Sequence, residues 1–362
     1  HPSYFHKSTG IGKWISQFHP QSDSLNEKLT SIYFQEQRRA SITQVKNCST
    51  QKSTFLLIDS YLTETERTKA IGHYKKVSAH MNSFKEGIRR DLPIQEVTPI
   101  HISEVVHYLK TIRNSPNTIS VKLKTYRAFF NWAIEEYDLR IKNPARKVKV
   151  KTVQNIREKL TMNQVAKLWG ISTTTEKQRA ASFMWLFMFF TGGMRVGDAI
   201  FLERSNISDD HITFRASKTG KIQRIPITEN LQEVINTLLN LSPKGNNRFI
   251  CPFTNPNVRL NDDYSVYKEK SRVTGLINSH LKFVGKKIEV APLTCHMARH
   301  TFSSLALANG IDLKTIQETL QHSNLRETQR YLESLDQSRV SNALNALFGK
   351  RLEGNDFFSS PN

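Results

Sequence analysis

The chain has 362 residues, a length that fits two or three folded units better than one, and 38 % of them are hydrophobic, which excludes wholesale disorder. Lys and Arg number 52 against 32 Asp and Glu, a formal net charge of +20, so a polyanionic partner is favoured, nucleic acid first and an acidic membrane surface second. The excess is spread, with 24 basic against 13 acidic residues in 1–150 and 28 against 19 in 151–362, which excludes a basic tail on a neutral enzyme.

Residues 1–50 are polar and weakly periodic, with a candidate hairpin in Lys28–Phe34 and Ala40–Val45. The start His1-Pro2-Ser3-Tyr4 is not that of a signal peptide, and the first residue is not Met, which is compatible with a missing native start. From about 54 the spacing turns helical, predicting helices over Phe55–Thr63, Ala70–Lys85, Ile102–Ile112 and Thr118–Tyr137. The last follows the breaker Ser115-Pro116-Asn117, with Asn117 or Thr118 as the expected N-cap. It carries Lys122, Lys124 and Arg127 among apolar residues, a pattern that fits either a DNA-facing surface or an ordinary solvated face.

Asn143-Pro144 ends the helical pattern, and Ala145-Arg146-Lys147-Val148-Lys149-Val150-Lys151 follows with no helical stripe. Residues 143–159 therefore read as a basic interdomain linker, able to lie along DNA through Arg146, Lys147 and Lys149. A second domain is expected over 160–349, opening at Thr161 and Gln164 with capping-box spacing, and a polar tail over 350–362. It reads as mainly α with one hairpin, His211–Ala216 and Ile222–Ile227 around the turn Ser217-Lys218-Thr219-Gly220. The longest apolar run, Phe183–Phe190, is too short to span a bilayer, so no membrane partner is expected. Cys48, Cys251 and Cys295 lie far apart without C-x-x-C spacing, so neither a zinc site nor a disulfide framework is legible and a reducing cytoplasm fits best.

A phosphodiester is broken without metal when a protein supplies a nucleophile, fixed cations around the non-bridging oxygens and an acid for the leaving oxygen. The second domain holds candidates for each role. Arg195 follows the Gly192-Gly193 pair in Thr191-Gly-Gly-Met-Arg-Val-Gly-Asp198, and a guanidinium can grip two phosphate oxygens in a fork. His296 and Arg299, in His296-Met-Ala-Arg-His-Thr-Phe302, stand at i and i+3 on one helical face. Leu320-Gln-His322-Ser-Asn324 precedes Tyr331 by nine residues counted from His322. Taken singly, each has an ordinary structural reading: a surface arginine, a satisfied buried histidine, a core tyrosine.

Their joint order, Arg195, Lys218, His296-x-x-Arg299, His322 and Tyr331 across about 140 residues, resembles the active site of the tyrosine recombinase, or phage-integrase, family of mobile genetic elements. The departures are Gly193-Met194 where the family often has a single residue before Arg, and Gln321 where Gly is commonest before the His. The N-terminal half is similar to that family's helical, SAM-like core-binding domain over 51–142, and residues 1–50 more loosely to its arm-binding extension.

The resemblance implies a mainly α fold with a small β-sheet, whose two domains form a C-shaped clamp on duplex recombination sites. It implies that Tyr331 attacks the scissile phosphate to give a 3′-phosphotyrosyl link, while Arg195, Arg299 and His322 hold the non-bridging oxygens. Lys218 would protonate the departing 5′-oxygen, with Lys221 as fallback, and His296 would assist proton transfer or anchor the phosphate. Asp198 would support the site from behind. No cofactor and no metal are expected; neither ATP nor a metal ion is required, because the covalent link conserves the energy of the broken strand. Four protomers would act through a Holliday junction, two at a time, in a cytoplasmic, nucleoid-associated setting, with accessory DNA-bending or directionality proteins as further partners.

Past the tyrosine, Val340, Leu344, Leu347 and Phe348 form a short apolar stripe that packs either in cis or into a neighbouring protomer, the latter being the family's arrangement. Two rival readings are a type IB topoisomerase, which shares the chemistry but acts alone, and a catalytically silent DNA-binding regulator on the same scaffold.

Overall fold

The computed structural model describes residues 52–153, 158–172, 175–290 and 292–320. They form two compact units that divide between residues 154 and 155. The candidate hairpin in 1–50, His322, Tyr331, the stripe from Val340 to Phe348 and the tail over 350–362 all lie outside the described residues.

Among the described residues the first unit holds four α-helices: α1 (Thr54–Thr68), α2 (Ile71–Ile88), α3 (Pro99–Thr111) and α4 (Pro116–Glu136). α1 starts where Ser53 Oγ accepts from Leu56 N, satisfying one orphan donor of the first turn. α4 is capped by Ser115, whose Oγ accepts from Thr118 N at 3.2 Å, and not by Asn117 or Thr118. Pro116 is tolerated as the first helical residue because its missing N–H would have had no partner in the helix anyway. The inward residues of α4 are Ile119, Lys122, Leu123, Tyr126, Phe129, Phe130 and Ala133, spaced three and four apart on one stripe. They meet Leu57, Ile58, Met81, Phe84, Ile102 and Leu109 in one core. Phe84 lies edge-on to Tyr126 at 5.1 Å between ring centroids, and Phe129 packs on Phe130 at 5.0 Å. Each such ring contributes on the order of 1.5–3 kcal/mol by burial.

Residues 143–153 correct the linker expectation, because this segment is a strap fastened to the first unit. Asn143 Nδ2 donates to Arg127 O and to Asn131 Oδ1, while Asn143 Oδ1 accepts from Ala145 N. Ala145 is fully buried, and Val148 and Val150 pack against the same core. At the far end Asn117 and Val153 exchange two hydrogen bonds, of 2.8 and 3.0 Å. The alternation is that of an extended chain lying on a surface, with Val148 and Val150 inward and Lys147, Lys149 and Lys151 exposed.

The second unit is built around α6 (Glu176–Phe190), whose residues from Ala180 to Phe189 are all buried. A helix apolar on every side belongs at the centre of a unit. Packed on it are α5 (Met162–Trp169), α8 (Glu229–Asn240), α9 (Asp263–Lys287) and α10 (Cys295–Ala308). The Thr161–Gln164 capping box opens α5 through reciprocal bonds of 3.2 and 2.9 Å. Two short helices, α7 (Val196–Ile200) and α11 (Leu313–Leu320), complete the α-helical set among the described residues. The small sheet is an antiparallel hairpin, β1 (His211–Arg215) with β2 (Ile222–Pro226), in register Thr213 to Arg224. Gly285, near the end of α9, has room for no side chain: a Cβ there would stand 2.2 Å from Val290 O. Among the described residues no helix is long and apolar enough to cross a membrane, and no cluster of three or more His, Cys, Asp or Glu could hold a metal ion.

Candidate active site

Because α6 is buried from Ala180 to Phe189, it carries its C-terminal end, and the residues that follow, to a fixed place. Gly192 and Gly193 both take positive φ, +74° and +79°, and turn the chain back so that Gly193 N and Met194 N donate to Met188 O. Met194 is buried as the plug of this turn, and Arg195 emerges, half-exposed, as the N-cap residue of α7. A Cβ on Gly193 would lie 3.0 Å from Leu320 Cδ2 and 3.3 Å from Arg299 Cα. The extra glycine before Met194 is therefore what permits the close approach of α10 and α11 to this loop.

Arg299 is 6 % exposed on α10. Its Nη1 donates to Gly193 O at 2.7 Å and its Nη2 donates to Leu320 O. One guanidinium thus ties the loop that presents Arg195 to the end of α11, two residues before His322. The rigid fork suits this bridging task, since two donors leave one carbon in fixed directions. His296, one turn earlier on α10, is exposed, and its ring meets that of buried His300 edge-on at 4.4 Å. His300 belongs to the same sequence motif, and its position beside His296 is what the fold adds.

Asp198 is 8 % exposed, and its Oδ1 accepts from Ser217 N at 2.9 Å. A carboxylate on α7 therefore holds the start of the hairpin turn whose second residue is Lys218. Lys218 and Lys221 are both exposed. Arg195, Lys218, His296 and Arg299 thus sit on elements connected by hydrogen bonds through Asp198, Gly193 and Leu320. The two backbone acceptors have no sequence signature, because a carbonyl is present at every residue.

The candidate DNA contacts of the first unit divide into two groups. Lys124, Arg146, Lys147 and Lys149 are exposed. Lys122 and Arg127 are corrected. Lys122 is 9 % exposed and its Nζ donates to Ser83 Oγ at 2.8 Å, because residue 122 falls on the inward stripe of α4. Burial lowers its pKa. Arg127 is spent on the strap, donating from Nε to Ala145 O at 3.0 Å and from Nη2 to Val148 O at 2.6 Å.

Comparison with known proteins places the chain in a family. The model of the phage integrase family matches residues 158–338, half of the chain, and that of the phage integrase SAM-like domain matches 53–150. The tyrosine recombinase XerC of Thermodesulfovibrio yellowstonii is 28 % identical over 243 residues, covering 66 % of this chain and 78 % of that protein. Among solved structures, a lambda integrase dimer bound to a COC′ core site matches with a TM-score of 0.60 at 18 % identity, covering 91 % of each chain. A lambda integrase tetramer bound to a Holliday junction matches with a TM-score of 0.57 at 16 % identity, again over 91 % of each. Two family models matched in order over both units, on a fold shared with integrases, make this chain a member of the phage integrase family, a site-specific tyrosine recombinase.

Proposed function

We propose that the chain cleaves and rejoins strands at DNA recombination sites through a 3′-phosphotyrosyl link to Tyr331 and a Holliday-junction intermediate. The phenol oxygen of Tyr331 attacks phosphorus, the bond to the 5′-oxygen breaks, and Lys218 gives that oxygen a proton. Arg195, Arg299 and His322 hold the two non-bridging oxygens, His296 anchors the phosphate, and the reverse step with the 5′-hydroxyl of a partner strand restores the backbone. A tyrosine hydroxyl ordinarily titrates near pH 10, so the surrounding cations also favour its ionised, nucleophilic form.

The observation that carries this reading is the pair of links through Arg299 and Asp198, which connect the elements bearing Arg195, Lys218 and His296 and reach the segment leading to His322. Duplex recombination sites are the partner, Lys124, Arg146, Lys147 and Lys149 are phosphate contacts, and four copies assemble, as in the lambda integrase complex on a Holliday junction. The apolar stripe Val340, Leu344, Leu347 and Phe348 docks on a neighbouring protomer in this scheme, and accessory DNA-bending proteins set direction.

The test is a nicked suicide duplex carrying the core site, located by footprinting the protein on the ends of its own element. Tyr331→Phe is expected to bind this duplex like wild type and to form no covalent complex. Covalent protein–DNA trapped with Tyr331→Phe would overturn the assignment. Wild-type protein that binds but is never trapped would identify a silent regulator. Relaxation of supercoiled DNA without two-site recombination would identify a topoisomerase.

A further inference from the structure

The turn that carries Lys218 is held at both ends. At its entry Ser217 N donates to Asp198 Oδ1 at 2.9 Å. At its exit Arg215 Nη1 donates to Gly220 O at 2.7 Å. Arg215 and Ile222 form the last rung of the β1–β2 ladder, and past it Ala216 N bonds Lys221 O while Gly220 N bonds Ala216 O. Gly220 takes φ +69°, the left-handed conformation that sends its carbonyl back towards β1.

Arg215 is at the exposed end of β1, outside the core cluster, so its hydrogen bond orders the turn and not the interior of the unit. A guanidinium stays charged at every working pH, and its bond to a carbonyl is of the stronger, charge-assisted kind. An exposed lysine on an unpinned four-residue turn would sample many positions. A general acid works only within hydrogen-bond reach of the atom it protonates, so fixing this backbone has a direct bearing on rate.

We infer that Arg215 is a positioning residue for Lys218: by clamping the Gly220 carbonyl opposite the Asp198 clamp on Ser217 N, it holds the turn in the place from which Lys218 reaches the leaving 5′-oxygen. The inference rests on the reading of Lys218 as the acid, and its test separates the two claims.

The cleavage rate is measured on two nicked core-site duplexes that differ in one atom, the bridging 5′-oxygen or a sulfur in its place. A thiol is a far stronger acid than an alcohol, so the 5′-thiolate leaves without being protonated and the reaction no longer needs an acid. On the oxygen substrate Lys218→Ala should be slower than wild type by roughly 10²–10⁴-fold, and Arg215→Ala by a smaller factor. On the sulfur substrate both should return to the wild-type rate. The quantity read is the ratio of the two rates for each protein, from which any loss of folded protein cancels. Arg215→Ala slow on both substrates while Lys218→Ala recovers on sulfur would overturn the Arg215 proposal and leave Lys218 as the acid. Arg215→Ala equal to wild type on oxygen would overturn it as well. Failure of Lys218→Ala to recover on sulfur would overturn the reading of Lys218 on which the proposal stands.

Discussion

Both units bury a strongly basic side chain, and the two cases come to different ends. In the helical unit Lys122 gives its ammonium to Ser83 and Arg127 gives its guanidinium to the strap, so the charges finish as fasteners of one domain's own backbone and core. In the second unit Arg299 is buried as deeply as Lys122, yet its acceptors are the carbonyls of Gly193 and Leu320, each two residues in sequence from a candidate site residue, Arg195 and His322. Burial alone does not separate a structural cation from a functional one. What the partners of the cation carry does.

The largest expected effect tests the second half of that comparison. Arg299→Lys keeps the charge and loses the fork, so one ammonium cannot hold Gly193 O and Leu320 O in the same geometry. On the role proposed for Arg299, cleavage in a single-turnover assay should fall by roughly 10²–10³-fold, the cost of losing one fixed donor, while DNA affinity changes little. A matching loss of affinity would make Arg299 a general DNA contact instead.

The next effect tests the first half. Replacing Lys147 and Lys149 together by Ala should make the plot of log affinity against log salt shallower by about two, near 0.9 per lost phosphate contact. Lys122→Met should leave that slope unchanged, since its ammonium faces Ser83 and not solvent. A slope altered by Lys122→Met would return this lysine to the DNA-facing surface.

The contrast also shows which features were legible in the residues. The hairpin was, because two alternating arms flank Ser217-Lys-Thr-Gly220, and so was the start of α5, where Thr161 and Gln164 have the spacing of reciprocal caps. The place of Lys122 was harder to see, since Lys122-Leu-Lys124 resembles a charged face. Only the phase set by Ile119, Tyr126 and Ala133 turns residue 122 inward. The strap looked like a linker because Lys147, Lys149 and Lys151 dominate its composition, whereas Val148 and Val150 decide where it lies. Its fasteners are a guanidinium to two carbonyls and Asn117 to the backbone of Val153, thirty-six residues away, and long-range main-chain acceptors leave no pattern. The candidate site residues are legible by type and order. The connections through Gly193 O and Leu320 O are not.

The smallest effect concerns the interior of the helical unit alone. His80 lies between α2 and α4 with Nδ1 at 2.7 Å from Thr125 Oγ1, and burial first, then the charges of Lys76 and Lys122, push its pKa down to about 4. The folded state therefore keeps His80 neutral where the unfolded chain, with a value near 6.5, takes up a proton. Stability of this unit should be full above about pH 6.5, decline as the pH falls towards about 4, and level off below, as followed by thermal melts. His80→Gln should flatten that part of the profile. A profile unaltered by His80→Gln would assign the decline to other groups.

If the connected elements of the second unit serve one covalent reaction at Tyr331, the site of covalent attachment reveals it. Wild-type protein is trapped on the nicked suicide duplex, digested with nuclease and trypsin, and the nucleotide-bearing peptide is sequenced by mass spectrometry. A single modified peptide is expected, Tyr331 to Arg339, with the 3′-phosphate on Tyr331. A nucleotide on any other residue, such as Tyr264 or Tyr267 of α9, would contradict it.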